Sequence, residues 1–396
     1  MNKYRIISIV SFTIAIILLI SMLFKPTLTE IKSVETCSQT TILTSLDEPS
    51  ILPDWKDGEY HDYQGTTQML NSFNSKFPGL VDIFSIGQSV KKRDIWCVKI
   101  TNENNHKNKY SCVIDGCIHG SEWEAGEACL YLAEYLLINF GKNQTVSDIL
   151  NNSEIYIIPI LNPDGREKDD RFNENGIDLN RNFDVHFGRI RGGSLPLGKL
   201  FGFIKIPYIQ RPEIIEKLGL DKYFINKYWT NSGREPFSEP ETRAIRDLMR
   251  SIGPSFSFYV NCHTAMHGIF SIVDISYKPE FETTSQEIKV LTNTLDWFGE
   301  NTEYDIMYPD DFLHPGSGMI HHWVFKEFRI PSICFEILSK DYEPWLGKGP
   351  HDNLVHWMKT ILPAFLYLLV NIENLHDWES PENMPPLPEG VPPEPI

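Results

Sequence analysis

In Asp115-Gly-Cys-Ile-His119-Gly-Ser-Glu122-Trp123, a nitrogen ligand and a carboxylate stand three residues apart directly after an apolar run. Lys109-Tyr-Ser-Cys-Val-Ile114 reads as a buried strand, and the residues from Glu122 to Leu137 read as the helix that follows it. His119 and Glu122 therefore sit on a strand-to-helix turn. Imidazole and carboxylate are zinc ligands, and a catalytic zinc takes three protein ligands while keeping one position open. The third ligand is expected from another strand end, and His263 closes such a strand in Phe256-Ser-Phe-Tyr-Val-Asn-Cys-His263. With 12 histidines in the chain, the pair alone would equally suit a helix start whose Glu caps backbone N–H groups.

Four further segments weigh against that blander reading. Asn162-Pro-Asp-Gly165 follows the apolar run Ile155–Leu161, and after it come Arg171 and then Gly176-Ile-Asp178-Leu-Asn180-Arg181-Asn182-Phe183. Pro236-Phe-Ser-Glu-Pro-Glu-Thr-Arg-Ala244 precedes the His263 strand, and Ser332-Ile-Cys-Phe-Glu336 is a short apolar strand ending in one carboxylate. A lone buried carboxylate is costly unless compensated. Zinc with its bound water would compensate Glu336, and would lower the water's pKa to roughly 7, so that a nearby carboxylate could take the proton.

In this order the segments resemble the zinc metallocarboxypeptidases, the carboxypeptidase A/B-like family. The resemblance starts at Tyr60-His-Asp-Tyr63, includes Phe84-Ser-Ile-Gly-Gln-Ser89 and runs to the helix around Trp357–Leu369, covering most of the chain. It implies a single Zn2+ held by His119, Glu122 and His263, with Glu336 as general base. It also implies that Arg171 is the cation that stabilises charge developing on the substrate carbonyl. Asn180 and Arg181 would take the substrate's C-terminal carboxylate, a planar donor fork beside an amide. Asp178 would accept the proton of His119 and hold its tautomer. The implied activity is an exopeptidase acting on the C-termini of peptides or proteins. Relatives acting on an unusual amide, such as a peptidoglycan stem peptide or a γ-glutamyl chain, are the nearest alternative, and a non-catalytic zinc-bearing receptor for peptide termini is a third.

Three positions depart from the best-known members. Ser121 stands where the digestive enzymes place an arginine before the ligand Glu. Counting back from Glu336, His314 occupies the position of the tyrosine that closes over substrate, and His321 the position that reads the last side chain. A histidine there suits a polar, acidic or aromatic side chain better than a lysine.

The elements needed to position these residues are legible as alternation. Strands are expected at 81–86, 94–101, 109–115, 154–161, 256–262, 268–273 and 330–336, and helices at 64–77, 122–139, 239–251, 285–300 and 353–375. That pattern predicts an α/β fold with helices on both faces of the sheet and a site at strand C-terminal ends. The resemblance implies a mixed, roughly eight-stranded sheet in one catalytic domain, 59–376.

Residues 6–24 form an uncharged apolar run behind Lys3 and Arg5, long enough to span a bilayer. With no small-residue cleavage site before Lys25-Pro26, residues 1–25 read as an uncleaved anchor with the N-terminus inside. The alternative is a cleaved signal, and either reading exports the enzyme. Residues 26–58 read as a linker, and the proline-rich acidic stretch 377–396 as a disordered tail. A net charge of −17 excludes nucleic acid as a partner of the whole protein, and a monomer is expected. Residues 189–232 read as an insertion whose basic residues, from Arg189 to Lys227, interleave with Phe201, Phe203 and Tyr208. It reads as a lid loop packed by its own aromatics, or as a membrane-resting or groove-lining segment. The 7 cysteines look like small core residues. Cys112 and Cys117 are a conceivable pair, but an odd total without a regular framework argues against a disulfide scaffold. His267, His314, His321 and His322 lack the carboxylate spacing of a second metal site and read as surface or groove histidines.

Overall fold

The computed structural model describes residues 50–185, 187, 231–264, 267–271, 284–306, 318–338 and 352–379. The apolar run 6–24, nearly all of the 189–232 insertion, His314 and the proline-rich tail lie outside the described residues. No helix among the described residues is long and apolar enough to cross a membrane.

Eight strands form one mixed sheet: β1 (Val81–Gln88), β2 (Asp94–Ile100), β3 (Tyr110–Asp115), β4 (Ser153–Ile158), β5 (Phe256–Thr264), β6 (Gly268–Ser271), β7 (Asp305–Ile306) and β8 (Ser332–Ile337), in the spatial order β1-β2-β4-β3-β5-β8-β6-β7. The centre, β4-β3-β5-β8, is parallel, and β1 and β2 add to one side antiparallel. Central parallel strands are covered on both faces, which explains why β5 is buried along its whole length.

Alternation along these strands decides which side chains meet. Cys112 and Ile114 of β3, Phe258, Val260 and Cys262 of β5, and Ile333, Phe335 and Ile337 of β8 join one core, beneath α2 (Trp123–Asn139) and α8 (Leu354–Val370). With a period of two, Asp115, Tyr259, Asn261, His263 and Glu336 fall on the opposite face. The second core lies there, against α5 (Pro240–Ile252), whose buried stripe is Ala244, Ile245, Leu248 and Met249, and α7 (Ile320–Phe328). The remaining helices are α1 (Tyr63–Lys76), α3 (Gln144–Asn152), α4 (Pro163–Lys168), α6 (Ser285–Asn301) and α9 (Ile372–His376). The sequence pattern does not anticipate α3, α4, α7 or the short β7, and the expected helix 353–375 is two helices that meet at Asn371. The helix α3 is short and polar, begun by Asn143, whose side chain accepts from Val146 N at 3.0 Å.

Six cysteines are buried free thiols, Cys112 and Cys117 among them, so the conceivable bond between those two is absent. Burial pushes Cys97 and Cys112 well above the ordinary thiol range and raises Cys117 to about 12, which keeps them as inert core residues.

A buried ion pair ties the start of the domain to α2. The Arg166 guanidinium lies 3.6 Å from the centre of the Trp123 ring, donates to the His61 carbonyl at 2.5 Å and pairs with Glu127 at 3.2 Å. Glu127, fully buried, also accepts from His61 N (2.8 Å) and faces His61 Nδ1 (2.7 Å). Removing one partner of such a pair leaves a buried charge uncompensated. Arg166→Met is therefore expected to lower unfolding free energy by about 3–5 kcal/mol, read by urea denaturation, and a loss below about 1 kcal/mol would contradict the pairing.

Candidate metal centre

The first two candidate ligands, His119 and Glu122, sit on the turn between β3 and α2. Backbone bonds pin this turn to the stretch after β4: Gly116 N to Ile158 O (2.9 Å), Leu161 N to Gly116 O and Asn162 N to Cys117 O (both 3.0 Å). Gly120 packs so closely that a Cβ there would lie 2.0 Å from the Gly165 carbonyl carbon. This contact sets the turn carrying His119 directly on the start of α4. His263, near the end of β5, completes the set. The donor atoms of His119, Glu122 and His263 lie within 4.8 Å of one another, and all three residues are buried.

The surrounding hydrogen bonds show what these residues can hold. His119 Nε2 faces the acceptor Asp178 Oδ1 at 3.0 Å, and His263 Nε2 faces Asn261 Oδ1 at 2.5 Å. With these bonds made, a neutral ring at either position carries its lone pair on Nδ1. The Nδ1 of His119 faces Glu122 Oε1, and the Nδ1 of His263 faces Glu122 Oε2, both at 2.7 Å. Two lone pairs facing a carboxylate call for a cation among them, and a divalent ion with nitrogen and oxygen preference fits this donor set. Burial opposes charge on Glu122, yet without a metal the two imidazoles, acting as proton donors toward it, hold its carboxyl well below the usual range, the part a cation takes over when it sits among them. Burial pushes His263 down, toward the neutral ring that a metal needs.

Asp178 is fully buried. Burial opposes its ionisation, but Arg171 and His119 beside it keep it well below the ordinary carboxylate value. Arg171 Nε donates to Asp178 Oδ2 at 3.1 Å, and its Nη1 reaches Glu122 Oε1 at 3.4 Å. A third of the Arg171 side chain stays exposed (34%), so a fixed cation borders the ligand cluster with one open side. Asp178 also caps the 3-10 turn Leu179–Arg181, accepting from Asn180 N at 3.0 Å.

Asn180 is buried. Its Oδ1 accepts from Ile320 N at the start of α7 (2.9 Å), and its Nδ2 stands 3.1 Å from His263 Nε2. Arg181 Nη1 donates to the Asn180 carbonyl at 2.8 Å. Gly318, at φ +68, lies so close that a Cβ would meet the Arg181 carbonyl oxygen at 2.0 Å. Glu336 is half-buried and is the direct cross-strand partner of His263 in the β5–β8 register. Its charge contributes to the electrostatic surroundings of both Arg171 and Arg181.

Nine of the ten residues singled out from sequence are described, and the ligand triad, Asp178, Arg171 and Asn180 make direct contacts. His321 differs from its expected setting as a surface or groove histidine: it lies on α7 with no exposure. Burial, then His322, His263 and Arg181, push it well below the ordinary value, and it is neutral. The sequence reading missed Asp115. This fully buried acid accepts from Asn261 Nδ2 at 2.8 Å and from the Tyr259 hydroxyl. Burial raises it to about 7 against both hydrogen bonds. The signal was present, since Asp115 is an acid closing an apolar strand, the same cue that marks Glu336.

The family model described as zinc carboxypeptidase matches residues 66–199 and 225–347, and the stretch between those two segments lies inside the 189–232 region. Human carboxypeptidase D is 33% identical over 152 residues, 36% of this chain, and the match spans 11% of that protein's length. Carboxypeptidase B of Astacus astacus is 26% identical over 292 residues, 69% of this chain and 84% of that one. Among solved structures, bovine thrombin-activatable fibrinolysis inhibitor in complex with tick carboxypeptidase inhibitor aligns with a TM-score of 0.59 at 21% identity, over 80% of this chain and 98% of that one. Carboxypeptidase A from Helicoverpa armigera aligns at 0.55 with 20% identity, over 81% and 73%. These likenesses show the fold, and the matched segments contain all three ligand positions and Glu336: the chain belongs to the zinc carboxypeptidase family.

Proposed function

We propose that this protein is a zinc-dependent metallocarboxypeptidase that releases single residues from the C-termini of peptides or proteins. The observation that carries the reading is the convergence of His119, Glu122 and His263 on one point, with Glu336 next to His263 in the sheet. Zinc, when bound, supplies a Lewis acid that polarises the scissile carbonyl and acidifies water. Glu336 takes a proton from the attacking water and returns it to the leaving amine. Arg171, held by Asp178 and open on one side, stabilises negative charge that grows on the carbonyl oxygen. Arg181 supplies the charge that recognises the terminal carboxylate, and Asn180 its amide. Asn180 Nδ2 serves that role only when His263 Nε2 does not need it. His314 and His321 are proposed to contact the terminal side chain.

A further part of the proposal is location: the uncharged run 6–24 supports export, with the enzyme tethered to a membrane and acting outside the cytoplasm.

Purified protein and peptides differing only in their last residue test the reading. Release of that residue is expected to stop with a chelator, to return with zinc and to fail on peptides with an amidated C-terminus. Faster release of terminal Glu, Asn or Phe than of Lys or Arg is expected from His321. Hydrolysis indifferent to the chelator, or equal on amidated peptides, would overturn the proposal.

A further inference from the structure

His263 Nε2 is approached by two amides, and only one can be its partner. Asn180 Nδ2 lies 3.1 Å away and would donate to it, whereas Asn261 Oδ1 lies 2.5 Å away and accepts from it. The choice matters because a neutral imidazole carries one proton. If Nε2 is the acceptor, the proton sits on Nδ1, the atom that faces Glu122 and the metal position. If Nε2 is the donor, Nδ1 keeps its lone pair for the ion.

Asp115 settles the contest. In its ionised form, which both donors favour against burial, Asp115 only accepts, so the end of the Asn261 amide that meets Asp115 Oδ1 at 2.8 Å is the NH2 end. The other end, the carbonyl oxygen, must then face His263. The second Asp115 oxygen accepts from the Tyr259 hydroxyl, so both oxygens already take donors, an arrangement that suits the ionised form. Sheet register makes the chain of contacts possible: Asp115 and Asn261 are direct cross-strand partners in the parallel β3–β5 pair, and Asn261 and His263 project from the same face of β5. All three residues are at most 2% exposed, so water does not compete for these contacts.

We propose that Asp115, acting through Asn261, is a positioning residue that locks His263 in the tautomer able to bind the metal. The inference rests on reading His119, Glu122 and His263 as zinc ligands. It gives His263 a support matching the one Asp178 gives His119, with an amide inserted between acid and ring. It also leaves Asn180 Nδ2 available to substrate. In Asp115→Asn, the new amide can donate to Asn261 Oδ1, Asn261 can turn over and present NH2 to Nε2, and the ring proton moves from Nε2 to Nδ1, blocking the ligand atom.

Zinc affinity by chelator competition and thermal unfolding of the metal-free protein, on the full chain, test this. Asp115→Asn and Asn261→Ala are each expected to weaken zinc binding by about 10–100-fold, the range for partners that orient a metal ligand. Both act on one nitrogen, so the double variant should lose no more than about threefold beyond the larger single loss. Met249→Ala, a core truncation on α5 outside this chain of hydrogen bonds, should unfold at lower temperature yet keep wild-type zinc affinity. Wild-type affinity in folded Asp115→Asn, losses that multiply in the double variant, or an equal loss in Met249→Ala would each overturn the proposal. If Asp115→Asn does not fold, Asn261→Ala decides against Met249→Ala by the same comparison. If the wild-type protein itself binds no zinc, the ligand assignment falls, and the inference with it.

Discussion

Glu336→Gln is expected to keep the fold and bound zinc while cutting release of C-terminal residues by about 10²–10⁴-fold, the contribution of a positioned general base. The two side chains have nearly the same shape, and position 336 is not in the ligand set, so neither packing nor metal coordination should change. What disappears is the ability to take a proton. The location supports that role over a structural one. Glu336 is the cross-strand partner of His263, and its charge contributes to the electrostatic surroundings of Arg171 and Arg181. Steady-state hydrolysis measured beside zinc content gives the answer. A rate within about tenfold of wild type, with zinc retained, would move the base elsewhere. Stoichiometric zinc in a wild-type protein that hydrolyses nothing would favour the receptor reading.

The second large effect concerns the ligands themselves. Glu122→Gln should abolish detectable hydrolysis and reduce zinc binding far more than Asp178→Asn, whose loss is expected at about 10–100-fold because it orients a ligand without being one. Glu122 offers one oxygen to each imidazole at 2.7 Å, and Gln would place an NH2 group against one of those lone pairs, removing the negative charge that makes the site selective for a cation. Stability provides a readout independent of turnover. A ligand bound only to the folded state adds about 4 kcal/mol at a thousandfold excess over Kd, so zinc should raise the wild-type unfolding temperature and leave that of Glu122→Gln unchanged. A zinc-dependent rise of equal size in both proteins would refute the ligand assignment.

The parts of this site that were legible in the sequence are those whose signal is local. His119 and Glu122 are three residues apart, and His263 and Glu336 each close an apolar strand, so spacing and alternation mark them as candidates, which the order of the other segments and the family resemblance favour over a capped helix start. Asp178, Arg171 and the Asn180-Arg181 pair lie in polar loop sequence whose composition suits any solvated turn, and their roles were readable only through the family resemblance. Asp115–Asn261 and Arg166–Glu127 join residues distant along the chain, and such contacts depend on strand order and register, which a single sequence does not reveal. The helix α3 has nine residues with only Val146, Ile149 and Leu150 apolar and buried, too few for a period to stand out from a loop. The helix α7 is nine residues long and mostly apolar, so its sequence shows no clear amphipathic period.

The contact between Gly120 and Gly165 reaches beyond local packing. Backbone rests on backbone there, so the stretch bearing His119 and Glu122 and the stretch leading to Arg171 share a seam with no side chain to compress. A single methyl group at Gly120 would act as a wedge and spread both stretches together. Substitutions meant to alter the site are therefore better placed at positions where side chains, and not main chain, make the contacts.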